Sequence, residues 1–83
     1  MATYTVSCLG DLSGGAIAQL EEKGLYRFAE HEAGFAQSGT LTRHYLEVEA
    51  GSPEDAVLVA RGALAVAGAE ASDYQVEEGP VKD

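Results

Sequence analysis

Apolar and polar residues alternate from Thr3 to Leu9, with Tyr4, Val6 and Cys8 on one side and Thr3, Thr5 and Ser7 on the other. A period of two, rich in β-branched and aromatic types, predicts a strand with one buried face. The turn cluster Gly10-Asp11-Leu12-Ser13-Gly14-Gly15 follows. Within it Ser13 is placed to cap a helix whose inward side carries Ala16, Ile17 and Leu20 and whose outer side carries Glu21, Glu22 and Lys23. Gly24, directly after Lys23, supplies the left-handed stop that glycine adopts cheaply.

Residues 25–35 and 40–50 read as two extended arms of a hairpin around Gln37-Ser38-Gly39-Thr40, where Gly39 accepts positive φ. In the second arm His44, Leu46, Val48 and Ala50 alternate with Arg43, Tyr45, Glu47 and Glu49, so the even positions are expected in the core. The first arm carries a conflict. Leu25, Ala29, Ala33 and Phe35 point one way, and Tyr26, Phe28, Glu30 and Glu32 the other, which sets aromatics on the side expected to be open. Either a bulge reverses the register partway along, or the outer sheet face is itself covered.

Ser52-Pro53-Glu54-Asp55 is a complete helix start: a serine cap, proline in the first turn, and two acids facing the positive end of the helix dipole. The helix is expected to run from Ala56 to about Ala69. Tyr74 and Val76, alternating with polar residues across Ser72–Glu77, predict a last strand. Residues 1–78 then make a single α+β domain and residues 79–83, with Gly79 and Pro80, a flexible tail. The order β-α-β-β-α-β resembles the ferredoxin-like plait, a four-stranded antiparallel sheet with both helices on one face. That fold hosts many unrelated functions, so the resemblance implies an architecture and no activity.

The second helix carries one charge, Arg61, between Ala56 and Ala69. A helix lying on a sheet shows a polar outer side, and this one does not. Val57, Ala60, Leu64 and Ala67 form an ordinary sheet-facing stripe, whereas Leu58, Val59 and Val66 fall outside its centre. Gly62, which weakens a helix by ~1 kcal/mol relative to alanine, would be explained by the close approach of another backbone. The expectation is a homodimer or other homo-oligomer in which Leu58, Val59, Gly62 and Val66 are covered. The open sheet face, through Tyr26 and Phe28, offers a second route to the same end.

Composition narrows the classes of partner. With 83 residues there is room for one core, and much of the 46% hydrophobic content is alanine, which buries little area. Fourteen acidic residues against five basic ones give a net charge of −9, which repels phosphate backbones and anionic lipid. Direct nucleic-acid or membrane-surface binding is not expected. Cys8 is the single cysteine, which fits a reducing cytoplasm, and no run of ~18 apolar residues is present to span a bilayer.

Candidate chemistry is sparse. A two-residue Ser38-Gly39 turn would set Glu30 opposite Glu47 and Glu32 opposite Tyr45, gathering carboxylates on one face. The same register puts His31 and His44 on a diagonal, near enough to share a proton or a ligand. His31, His44, Glu30 and Glu47 are therefore the candidate ligand-binding residues. No metal, cofactor or catalytic set is expected, because no calcium-loop spacing, third histidine or nucleophile motif accompanies them. The glycines at 10, 14 and 15 fit neither dinucleotide nor Walker spacing, and Asp11 would repel an anion. The leading expectation is a non-enzymatic, acidic, self-associating binding or regulatory module. The alternatives are a small enzyme or ligand binder with a His/Glu-lined cleft at a dimer interface, and an acidic mimic that occupies a basic site on another protein.

Overall fold

The computed structural model describes residues 1–10, 12–32 and 41–81, with backbone alone at 31, 32 and 41. It is an α+β fold in the order β1 (Ala2–Gly10), α1 (Gly14–Glu22), β2 (Tyr26–Glu32), β3 (Leu41–Ala50), α2 (Pro53–Val66) and β4 (Ser72–Glu78). The four strands form one antiparallel sheet in the order β2-β3-β1-β4. The turn expected at Gln37–Thr40, with Ala33 and Phe35, lies outside the described residues.

The central pair β1 and β3 is matched Tyr4 to Val48, Val6 to Leu46 and Cys8 to His44. Pairing at even positions puts these side chains on one face, and all six are buried, as the alternation predicts. Both helices cover that face. Leu12, Ala16 and Leu20, at and before α1, share a cluster with Leu64 of α2 and with Cys8 and Leu46 of the sheet. Ala56 and Ala60 of α2 pack with Tyr4, Val6, Val48 and Ala50 in a second cluster. Four of the buried apolar positions are alanines, so helix and sheet approach closely at a modest yield of buried area.

The helix ends follow local chemistry. Ser13 Oγ accepts from the Ala16 N–H and Ser52 Oγ from the Asp55 N–H, both at 3.2 Å. Gly24, at φ 74°, ends α1 as expected. The second helix stops earlier than the sequence suggests, with Ala67 as its C-cap and Gly68 at φ 77°. A glycine inside an alanine-rich run thus acts as a stop, the same device seen at Gly24.

The conflict in β2 is resolved by a bulge. Tyr26 pairs with Leu46 but Phe28 pairs with Tyr45, so the register shifts between them. Tyr26 consequently faces the helices and Phe28 the open side, which corrects the placement of both aromatics on one face. Beyond the bulge Glu30 pairs with Arg43, His31 with Thr42 and Glu32 with Leu41. This ladder differs by four residues from the one a two-residue turn at Ser38-Gly39 would set. Glu30 therefore stands opposite a cation rather than opposite Glu47, and the expected clash of like charges does not arise.

Among the described residues Gly10 is the glycine the fold requires for space. A Cβ there would sit 2.8 Å from the Glu70 carbonyl oxygen and 3.3 Å from Ala71. Gly10→Ala is expected to destabilise the fold by about 1–3 kcal/mol, because backbone must move to admit the methyl. Urea denaturation followed by circular dichroism measures it, and an unchanged midpoint would refute the close approach.

Candidate functional site

Of the candidate ligand residues, His44, Glu30 and Glu47 do not gather in a common cleft within one chain. His44 is buried on the helix side. Its Nε2 lies 3.1 Å from the Gly10 carbonyl oxygen and its Nδ1 2.9 Å from the Tyr26 hydroxyl. A carbonyl only accepts, so Nε2 carries the proton, and in the neutral ring Nδ1 accepts from Tyr26. The bulge at Arg27 is what aims Tyr26 at this ring. Burial pushes the Tyr26 phenol up, with smaller contributions from Glu21 and Cys8. The imidazole thus ties the end of β1 to β2 across β3.

Glu30 and Glu47 belong to the opposite face. Their positions on the β2–β3 ladder are set by Arg43 and Glu47, four residues apart on β3, or roughly 13 Å along the strand. Glu47 accepts from Arg27 Nη2 at 3.2 Å and from the Val81 N–H at 3.2 Å. Those two donors hold its carboxyl below the ordinary value of 4.5, the Arg27 hydrogen bond contributing most. The backbone of His31 lies diagonal to His44, opposite Thr42; its side chain lies outside the described residues.

The open face is crossed by Arg43, which the alternation sets among the outward residues of the second arm. Its guanidinium is largely buried and reaches from β3 across β1 to β4. Nη1 donates to Ser7 Oγ at 3.1 Å and to the Asp73 carbonyl at 3.3 Å, while Nη2 meets the Asp73 carboxylate. Asp73 presents both acceptors because it sits at φ 51° where β4 shifts register against β1. Aspartate is among the few residues that tolerate that conformation. Beside this tie Phe28 stacks on Tyr45 at 4.4 Å and 8°.

The chain after β4 returns over the same face. Gly79 donates to the Thr3 carbonyl at 2.8 Å and accepts from Thr5 Oγ1 at 3.0 Å, and Val81 reaches Glu47. Between this segment and the strands lies a hollow of about 140 Å³ lined by Thr5, Ser7, Tyr45, Gln75, Glu77 and Pro80. Among the described residues no three His, Cys, Asp or Glu side chains converge as metal ligands.

On the other side of the molecule the flank of α2 stays apolar and exposed. Leu58 is 61% and Val66 70% exposed, with Val59 at 43%. At ~100° per residue these positions divide between two flanks of the helix. Leu58 lies on the flank beside β4, in a groove of about 370 Å³ with Pro53, Glu54, Val57 and Val76. Val59 and Val66 lie on the opposite flank, and Gly62 lies on the crest between, with nothing near the position of a Cβ. Arg61 covers the Tyr74 ring at 5.8 Å. Among the described residues no helix is long and apolar enough to cross a membrane.

Comparison with family models, with curated proteins and with solved structures gives no match.

Two titrations check this geometry. Burial pushes the Cys8 thiol up to about 11 from 9.0, against the opposing charge of Arg43. Its reaction with a disulfide reagent at pH 8 is expected to be at least ~100-fold slower than in the urea-unfolded chain; equal rates would mean the thiol is open. Glu47 has a lowered pKa, so the stability it adds is present above 4.5 and lost as pH falls through its lower folded value. The difference in urea midpoint between wild type and Glu47→Gln should shrink between neutral pH and pH 3, and a constant difference would contradict the pairing.

Proposed function

We propose that this chain is a small acidic binding or regulatory module that works as a self-associated unit and has no catalytic activity of its own. The observation that carries this reading is the exposure of Leu58 at 61%, in an apolar groove with Val57 and Val76, on a helix with a single charged side chain between Ala56 and Ala69. A large aliphatic side chain left in water forgoes about 1.5–3 kcal/mol that burial would return. Several on one short helix favour a partner surface. The dispersal of His44 and the two glutamates over opposite sheet faces supports a binding role over acid–base chemistry.

The architecture behind this reading is a ferredoxin-like plait. In support of it, each helix joins two parallel strands that are separated by one antiparallel strand, as a split βαβ unit requires. The proposed setting is a reducing cytoplasm, which a single buried, unpaired cysteine suits.

Multi-angle light scattering from micromolar to submillimolar concentration tests the proposal. The expected result is a mass of twice the single chain that falls towards one chain on dilution. A monodisperse single chain over the whole range overturns it.

A further inference from the structure

The fold leaves one strand edge open next to the apolar groove, and its residue pattern is self-complementary. β4 is the last strand in the order β2-β3-β1-β4, so its outer side has no neighbour among the described residues. The N–H of Gly79 bonds to the Thr3 carbonyl. Alternation in an antiparallel ladder therefore turns the backbone groups of Glu77 and Gln75 towards β1. Those of Val76 and Glu78 point to the open edge. Residues 79–81 turn back over the sheet to Glu47, away from this edge.

We propose that a second copy of this chain docks on that edge, pairing β4 antiparallel with its own β4 about a twofold axis at Val76. The inference rests on the self-association proposed above and assigns its surface and register. Numbers of paired residues must then sum to 152. Val76 meets Val76 of the second copy, Gln75 meets Glu77, and Tyr74 meets Glu78. Glu77 faces an amide, Glu78 a phenol and Asp73 a glycine, with no carboxylate directly across from another.

Neighbouring registers are worse. An axis at Glu78 opposes two glutamates and pairs Val76 with Pro80, which has no N–H to give. An axis at Tyr74 runs into the register shift at Asp73. An axis at Glu77 opposes two glutamates and sets Tyr74 against Pro80, and one at Gln75 sets Asp73 against Glu77 twice. For a chain of charge −9 this selectivity decides which pairing survives.

The helix layer agrees with the strand. Val76 forms part of the groove with Val57 and Leu58, which sets those residues level with the axis. Arg61 is level with Tyr74, over whose ring it lies. The twofold thus carries Leu58 towards Leu58 and Arg61 towards Glu54 of the second copy. Apolar groups meet at the centre and opposite charges at each end. The product is a continuous eight-stranded sheet with four helices on one face, in which Val59 and Val66 remain outside the interface.

Sedimentation equilibrium on charge variants of the exposed Gln75 tests the register without disturbing the core. Gln75→Glu places like charges opposite each other twice per dimer and is expected to weaken association about 5–10-fold at low salt. Gln75→Lys is expected to tighten it, and Val66→Glu to leave it unchanged. Val76→Pro removes an edge N–H that faces away from β1, and is expected to abolish dimers with the circular dichroism spectrum retained. A wild-type chain that is monomeric throughout would overturn both this inference and the reading it rests on. Dimers that ignore both Gln75 substitutions and respond to Val66→Glu would overturn the β4 edge alone. So would an edge that binds only an extended strand from a different protein.

Discussion

The matching of β1 with β3 is the constraint on which the remaining structure depends. Tyr4, Val6 and Cys8 stand opposite Val48, Leu46 and His44, and both helices rest on the layer these residues make. Side chains alternate with a period of two, so a slip of one residue would move every one of them to the open face. In so small a core no other arrangement of large side chains would replace them. The consequence reaches the polar residues as well. Because the even positions are spoken for by packing, Arg43, Tyr45 and Glu47 are obliged to build the open face, and His44 is obliged to be satisfied inside.

Satisfying His44 explains the irregularity of β2. A buried imidazole needs a donor and an acceptor, since an unpaired polar atom in an apolar layer costs about 1–3 kcal/mol. The Gly10 carbonyl serves one nitrogen, and the bulge at Arg27 rotates Tyr26 inwards to serve the other. The same extra residue sends Phe28 outwards on to Tyr45 and shifts the rest of β2, so that Glu30 comes to face Arg43. One inserted residue thus settles a hydrogen bond in the core, an aromatic stack on the surface and the charge pairing of a hairpin.

What the sequence made legible was what local chemistry decides. The alternation of β1 and β3, the caps at Ser13 and Ser52, the stop at Gly24 and the exposure of Leu58, Val59 and Val66 are written within a few residues of where they act. The hairpin ladder was not, because register depends on the connection, and a two-residue turn is only one way to join two strands. Gly68 looks like part of a helical run because alanine on both sides masks it. Arg43 gave no signal either. A lone arginine among alternating residues looks like a solvated outer side chain, and only the left-handed Asp73, distant in sequence, turns it into a buried tie across β1.

Acidity and self-association are compatible in this chain because of where the acids lie. The helix that carries the exposed apolar residues holds its carboxylates in the first turn, at Glu54 and Asp55, where the helix dipole favours them. Its one cation, Arg61, sits a little under two turns further on. On β4 Glu77 and Glu78 fall on one side of Val76 and Tyr74 and Gln75 on the other, where the carboxylate of Asp73 is already paired with Arg43. A twofold operation exchanges the two sides of its axis, so a segment that is acidic on one side and neutral or basic on the other becomes complementary to itself. Net charge is a property of the whole surface, whereas association is decided by the few groups that meet. At distances beyond a Debye length of about 8 Å the remaining carboxylates are largely screened at physiological salt. In the proposed dimer it is the acids of β4 itself that disfavour the other pairings of the strand and leave the one in which Val76 lies on the axis.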